Sequence, residues 1–268
     1  MRIYQVFPNG KRKALTMSYD DGVYADKRLV NIFNKHGMKG TFNLNYGLMV
    51  KGNRIGVEEV TEVYKGHEIA THTYTHPTIA RCPAHQIYQE ILEDKKGWES
   101  VTGSPVRGHA YPNGSYSEEV KRIFKDVGIA YARTVKETQD FGLPTDWMEW
   151  KATCHHNHNL MQLAERFAEC NKEHYLRLMY VWGHSYEFDN DDNWELIEQF
   201  CTYIGGREDI WYATNIEIKD YMDAWERLQF AADCSFVHNP SAADVWICVG
   251  DDMHSIKVPG GTTVSLTE

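Results

Sequence analysis

Ala14-Leu15-Thr16-Met17-Ser18-Tyr19-Asp20-Asp21-Gly22 is the stretch that decides how this chain is read. Ala14 to Tyr19 is a largely apolar run of strand length. Two acids and a glycine close it. Beyond it, Lys27 to His36 sets Leu29, Val30 and Phe33 at helical spacing, and Gly37 offers a stop. The same strand-then-helix unit recurs. Gly40 to Leu44 is a second strand, followed by a helix over Val57 to Tyr64. Glu68 to Thr71 is a third, followed by a long amphipathic helix over Ala84 to Val101. A fourth strand falls around Arg107 to Tyr111, and Ser117 caps the helix after it.

The alternation continues to the last quarter of the chain. Ile129 to Ala132 is a short strand and Asn159 to Asn171 a helix. Leu176 to Trp182 carries the strongest strand signal, and Trp194 to Ile204 is a helix ended by Gly205-Gly206. Ile210 to Ala213 and Ile216 to Leu228 form the final pair. About seven such units predict an α/β fold with a parallel sheet, closed as a distorted (β/α) barrel. An open sheet is the alternative. Residues 230–268 differ: Asn239-Pro240, Pro259-Gly260-Gly261 and short β-rich pieces predict a small C-terminal β appendage packed on a barrel of residues 1–229.

Composition narrows the function. The 268 residues carry 28 Lys+Arg against 38 Asp+Glu, a formal charge of −10. This disfavours nucleic-acid binding, which calls for a basic face. No window approaches ~18 consecutive apolar residues, so no membrane span is expected. The start, Met1 to Val6, lacks the apolar core of a signal peptide, and the six cysteines form no Cys-x-x-Cys pair. A cytoplasmic location with reduced thiols is the expectation, secreted only if a leader was trimmed. The oligomeric state is not legible.

Polar residues of catalytic type fall just after the strands. Asp20-Asp21-Gly22 follows the first, His72 and His76 the third, Tyr111-Pro112-Asn113-Gly114 the fourth, and His184 the strand ending at Trp182. In a parallel α/β architecture those ends share one face, where active sites form. One of two adjacent acids can ligate a metal while the other stays free as a base. His72-x-x-x-His76 sets both rings on one side if that turn is helical, and two His with one Asp make a metal site with open positions.

The paired motifs resemble the polysaccharide deacetylase family, the NodB-homology group also called carbohydrate esterase family four. Its Thr-Phe-Asp-Asp-Gly stands here as Ser18-Tyr19-Asp20-Asp21-Gly22, and its His-Ser/Thr-x-x-His-Pro as His72-Thr73-Tyr74-Thr75-His76-Pro77. The resemblance spans roughly residues 10 to 225 and leaves out the β appendage. It implies that Asp21, His72 and His76 hold one divalent metal, usually Zn2+, with Co2+, Ni2+, Fe2+ or Mn2+ as alternatives. It implies that Asp20 is the general base and His184 the general acid. The activity implied is removal of N-acetyl groups from an amino-sugar carbohydrate. An O-acetyl carbohydrate esterase and a catalytically silent sugar-binding protein are the alternatives. The third motif departs: the arginine that would contact the base is replaced by Ala110. Tyr111 is the candidate backbone donor to an oxyanion. Asp146-Trp147 is a candidate fourth motif, its acid orienting His184, with Glu149-Trp150 competing. Trp147 and Trp182 are candidate sugar-stacking faces. Cys154-His155-His156-Asn157-His158 lacks structural-zinc spacing and is read as a loop near the cleft mouth. Glu187 and Asp189 are left as loop acids or helix caps.

Overall fold

A computed structural model describes residues 2–171, 174–250 and 254–267. The barrel strands are β2 (Lys13–Asp20), β3 (Gly40–Leu44), β4 (Glu68–Thr71), β5 (Gly108–Ala110), β6 (Tyr131–Glu137), β7 (Trp150–Ala152), β8 (Cys154–His155), β9 (Arg177–Gly183) and β10 (Ile210–Tyr212). They form one sheet in the order β7-β6-β5-β4-β3-β2-β9-β8, every pair parallel, with β10 added on β2. The expected α/β barrel is therefore present.

β2 is the hub. β9 runs beside it from Lys13 to Tyr19. Its other edge is shared: β10 pairs Lys13–Leu15 and β3 pairs Met17–Asp20. Trp150–His155 completes the ring. Its first half pairs β6 and its second half pairs β9, and between them the Thr153 N–H donates to Tyr180 O at 2.8 Å. No apolar run announces these two short strands, so the periodic pattern passes over them.

Helices α1 (Asp26–Lys35), α2 (Val60–Val63), α3 (Ala84–Thr102), α4 (Glu118–Asp126), α5 (Leu160–Glu169), α6 (Tyr186–Asn190) and α7 (Trp194–Ile204) lie between the strands. α2 is only one turn, preceded by a 3-10 turn, where a longer helix is expected from the sequence. α8 (Asn215–Glu226) starts at Thr214 with a reciprocal capping box to Glu217.

β2 alternates. Leu15, Met17 and Tyr19 pack outward with α1, α5 and α7, while Thr16, Ser18 and Asp20 point inward. A column of polar groups thus runs up the barrel interior. Glu68, Thr41 and Tyr131 bond at its base, where the Ile216 and Asn215 N–H groups of α8 reach Glu68 and Thr41. Thr16 bonds Asn215 above them, then Ser18 bonds Asn43, and Asp20 crowns the column.

The C-terminal strands β11 (Gln229–Phe230), β12 (Phe236–His238), β13 (Val245–Val249), β14 (His254–Val258) and β15 (Thr263–Ser265) form two small antiparallel sheets. β1 (Ile3–Gln5) pairs β13, so the N-terminus is part of this layer. Val237, Val245, Ile247 and Val258 share one apolar cluster with Phe7, Trp150, Ile218 and Tyr221.

Candidate active site

Asp20 and Asp21 part company through the backbone. Asp20 completes β2 and stays inside the column, 3% exposed. Asp21 takes φ 82°, a left-handed value unusual for a residue with a side chain, and Gly22 follows at 66°. The Asp21 N–H still donates to Asn43 O at 3.0 Å, but its carboxylate swings toward His76, at 3.9 Å from Nε2.

His72 and His76 converge by another route than the expected helical turn. Residues 72–78 are irregular, and Thr73 and His76 hold φ of 63° and 60°. The Thr73 hydroxyl accepts the His76 N–H at 3.2 Å. The two rings meet edge to face at 4.9 Å. Asp94 of α3 accepts the His72 N–H at 2.9 Å, and Asn45 donates to the His72 and Thr73 carbonyls, so the turn is tied from below. His72 Nδ1 lies 2.7 Å from the Ala110 carbonyl, which only accepts. Nδ1 therefore carries the proton, and Nε2 presents its lone pair to the cleft. One ligand atom each from Asp21, His72 and His76 falls within 4.8 Å of the others. That donor set, two imidazoles and one carboxylate with one imidazole fixed from behind, fits a divalent ion.

The arginine missing at Ala110 is present on the next strand. Arg133 of β6 is the cross-strand partner of Ala110 and is fully buried. Its Nη2 bonds Asp20 Oδ2, while Asn43 donates to Oδ1 at 2.8 Å. Its guanidinium lies 4.4 Å from the Trp182 ring centre. Burial opposes the Asp20 charge, but Arg133, His72 and His184 outweigh it and hold the carboxyl down at about 2.

His184 faces Asp20, with Nε2 at 4.0 Å from Oδ2. Its partner is Glu187, one turn on: Nδ1 lies 3.2 Å from Oε1, and the His184 N–H donates to Oε2 at 3.0 Å. Burial works against the imidazolium, but the Glu187 and Asp20 carboxylates beside it raise the His184 pKa overall. His155 and His156 crowd the same carboxylate, at 3.0 and 3.4 Å. This trio also packs its ligand atoms within 4.8 Å. His155 Nδ1 accepts the Asn157 N–H at 3.2 Å, so its Nε2, which carries the proton, is the atom that faces Glu187. His156 is fully buried between Tyr19 and Phe188, and a side chain at Gly183 would overlap its ring. Here the segment departs from the expected loop at the mouth: Cys154, His155 and His156 are buried, and only His158 of the three histidines is open to solvent.

Three further expectations are corrected. The Tyr111 N–H is spent on Arg133 O at 3.0 Å, within the β5–β6 pairing, and the side chain is buried with its hydroxyl on Met148 O. It has no N–H left for an oxyanion. Asp146 caps the turn at Trp147–Glu149 and bonds Lys121 at 3.0 Å, not His184. Trp147 precedes β7, at the strand-start end, and packs on Trp150 and Lys219 of α8, far along the column from Asp20. Glu149 bonds Tyr116 and Lys121. Trp182 is at the site, but only 8% exposed, and serves as the platform under Arg133. Trp182 therefore offers no open stacking face at the site, and Trp147, though half-buried, lies away from it. Arg133 and Asn43 are the residues that sequence reasoning passed over, and Glu187 is one it reads as a loop acid or cap; an arginine one residue beyond the fifth strand's apolar run was the available signal for the first.

A parallel barrel thus carries an acid pair, a two-histidine turn and a third histidine on its strand ends. Residues 8–132 match the family model "Polysaccharide deacetylase". The chain is 25% identical over 138 residues to a chitooligosaccharide deacetylase of Rhizobium leguminosarum bv. phaseoli, covering 51% of this chain and 57% of that one. It is 21% identical over 131 residues to the peptidoglycan-N-acetylglucosamine deacetylase PgdA of Listeria monocytogenes, covering 48% of this chain and 27% of the relative. The chain thus matches little more than half the length of these curated relatives, or less. The fold is similar to a Mycobacterium smegmatis structure assigned to the polysaccharide deacetylases, with a TM-score of 0.63 at 15% identity over 83% of this chain and 94% of that one. Among the described residues, no helix is long and apolar enough to cross a membrane.

Proposed function

We propose that this chain is a metal-dependent hydrolase that removes N-linked acetyl groups from an amino-sugar carbohydrate. The single observation that carries the reading is the opposition of Asp20 and His184 across 4.0 Å, each with its own charged partner, beside the Asp21-His72-His76 set. Asp21, His72 and His76 would hold one divalent ion, Zn2+ before Co2+, Ni2+, Fe2+ or Mn2+. Bound there, the ion would polarise the acetyl carbonyl and acidify water.

Arg133 keeps Asp20 ionised and aims its Oδ2 into the cleft, ready to take a proton from the attacking water. Glu187 keeps His184 protonated at Nδ1 and its Nε2 edge toward the substrate. His184 hands a proton to the departing amine, a step an amide needs because an unprotonated amine leaves poorly. The silent sugar-binding reading loses its main support, since the arginine expected of the third motif has a replacement in place. O-acetyl esterase activity at the same site stays as the second reading: it needs Asp20 but less of His184.

The test is acetate release from N-acetylglucosamine oligomers and from O-acetylated xylan, with and without chelator. Release from the N-acetyl substrate, abolished by chelator and by Asp21→Ala, is the expected result. Release only from the O-acetyl substrate, or release indifferent to both treatments, overturns the reading.

A further inference from the structure

The chain is acidic overall, yet one recess is basic. At the strand-start end, opposite the candidate site, a cavity of about 500 Å³ opens between the turn at Asn9–Gly10, the starts of β2 and β9, and the segment before β10. Its cations are Lys11, Arg12, Lys13 and Arg177, and its acids are Glu208 and Asp209. The lysines are satisfied. Lys13 Nζ pairs with Asp209 at 3.0 Å and Ala168 O at 2.7 Å, and Lys11 Nζ donates to Ile210 O at 2.9 Å.

The arginines are not. Their strands are locked side by side, the Arg177 N–H donating to Arg12 O at 2.8 Å. Arg12 reaches the Cys248 sulfur at 3.8 Å, and Arg177 lies 5.5 Å from the Tyr175 ring centre. Among the described residues neither guanidinium has a carboxylate within ion-pair distance. The Nε atoms of both are buried without a hydrogen-bond acceptor. An anion in the recess would give both cations a charge partner. Their planar forks suit the paired oxygens of a phosphate. Among the described lining residues, four cations against two acids leave two positive charges, the charge of a phosphate monoester dianion. The volume lies within the range of small-molecule pockets and exceeds a bare phosphate.

We propose that this recess binds a small phosphorylated ligand, its phosphate held by Arg12 and Arg177 and its remainder against Tyr175 and the Asn9–Gly10 turn. The site is separate from the deacetylase reading and does not depend on it.

The test is calorimetric titration of the full chain at low ionic strength, with chelator present so that no metal binds phosphate. Glucosamine 6-phosphate, inorganic phosphate and uncharged glucosamine are the probes. One equivalent of the sugar phosphate is expected to bind, tighter than inorganic phosphate, with no heat from glucosamine. Binding should weaken about tenfold or more in Arg12→Gln and Arg177→Gln, and stay unchanged in His184→Ala. Arg177→Lys keeps the charge and loses the fork, so it should weaken binding too and serves if the glutamine variants fail to fold. No binding of either phosphate probe, or binding that survives these arginine substitutions, overturns the proposal. Equal affinity for the two phosphates overturns the assignment of the remainder of the ligand to the recess.

Discussion

Each end of the barrel column buries an acid, and the two are held in opposite states. At the strand ends, Asp20 meets the Arg133 guanidinium and is held down at about 2. At the strand starts, Glu68 meets only neutral donors: Thr41 at 2.8 Å, Tyr131 at 2.7 Å and the Ile216 N–H at 2.9 Å. Burial pushes Glu68 up to about 7 despite all three. Neutral hydrogen bonds satisfy lone pairs without supplying the field that a full charge supplies at close range. One end is therefore suited to proton transfer with an ionised base. The other is a neutral plug that seats α8.

The largest expected effect separates the ends outright. Asp20→Asn should cut acetate release about 10²–10⁴-fold. It also strands Arg133, so urea melts should show a stability loss as well. Glu68→Gln, a neutral group in a neutral network, should leave acetate release intact. Equal losses in the two variants would erase the distinction.

Arg133→Ala probes the same contrast from the cation. It leaves Asp20 buried and unpaired, a cost of about 3–5 kcal/mol by chemical denaturation. The acid limb of the pH–rate profile should move upward, because the group holding Asp20 low is gone. A profile that keeps its acid limb would show that Arg133 only packs.

Glu187→Gln should lower kcat by about 10-fold to 100-fold, less than loss of an acid or base outright. The alkaline limb should fall to lower pH, since Glu187 is what offsets burial at His184. An unmoved limb would reduce Glu187 to a structural neighbour.

The smallest effect is a slope. Folded Glu68 holds its proton up to about 7, while unfolded glutamate releases it near the ordinary 4.5. Between those values the native state binds more protons, so stability falls as pH rises, by at most about 1.4 kcal/mol per pH unit. Glu68→Gln removes that slope. Wild-type and variant stabilities that run parallel from pH 4.5 to 7 would mean that Glu68 ionises freely in the fold.

Asp20, Asp21, His72, His76 and His184 were legible because each stands in a short local pattern just after a strand. Arg133 was not. It serves Asp20 from 113 positions away, and only the β5–β6 register brings it opposite Ala110. Glu187 was visible but ambiguous, because an acid three residues past a histidine on a loop is as well suited to capping. Asp146 and Trp147 were misplaced for a related reason. A motif just before a short strand and one just after it look alike when β7 and β8 carry no apolar run, yet they lie at opposite ends of the barrel.

By itself the sequence determined the strand–helix alternation, the parallel barrel and the five residues that sit in motifs, since hydrophobic period and local turn chemistry are written within a few residues. Only the tertiary structure decided which acid meets a cation, which histidine meets Glu187, and which N–H groups are already spent. Those are matters of register and closure: a barrel sets side by side strands that are far apart in the chain, and no local pattern encodes which side chains then face each other.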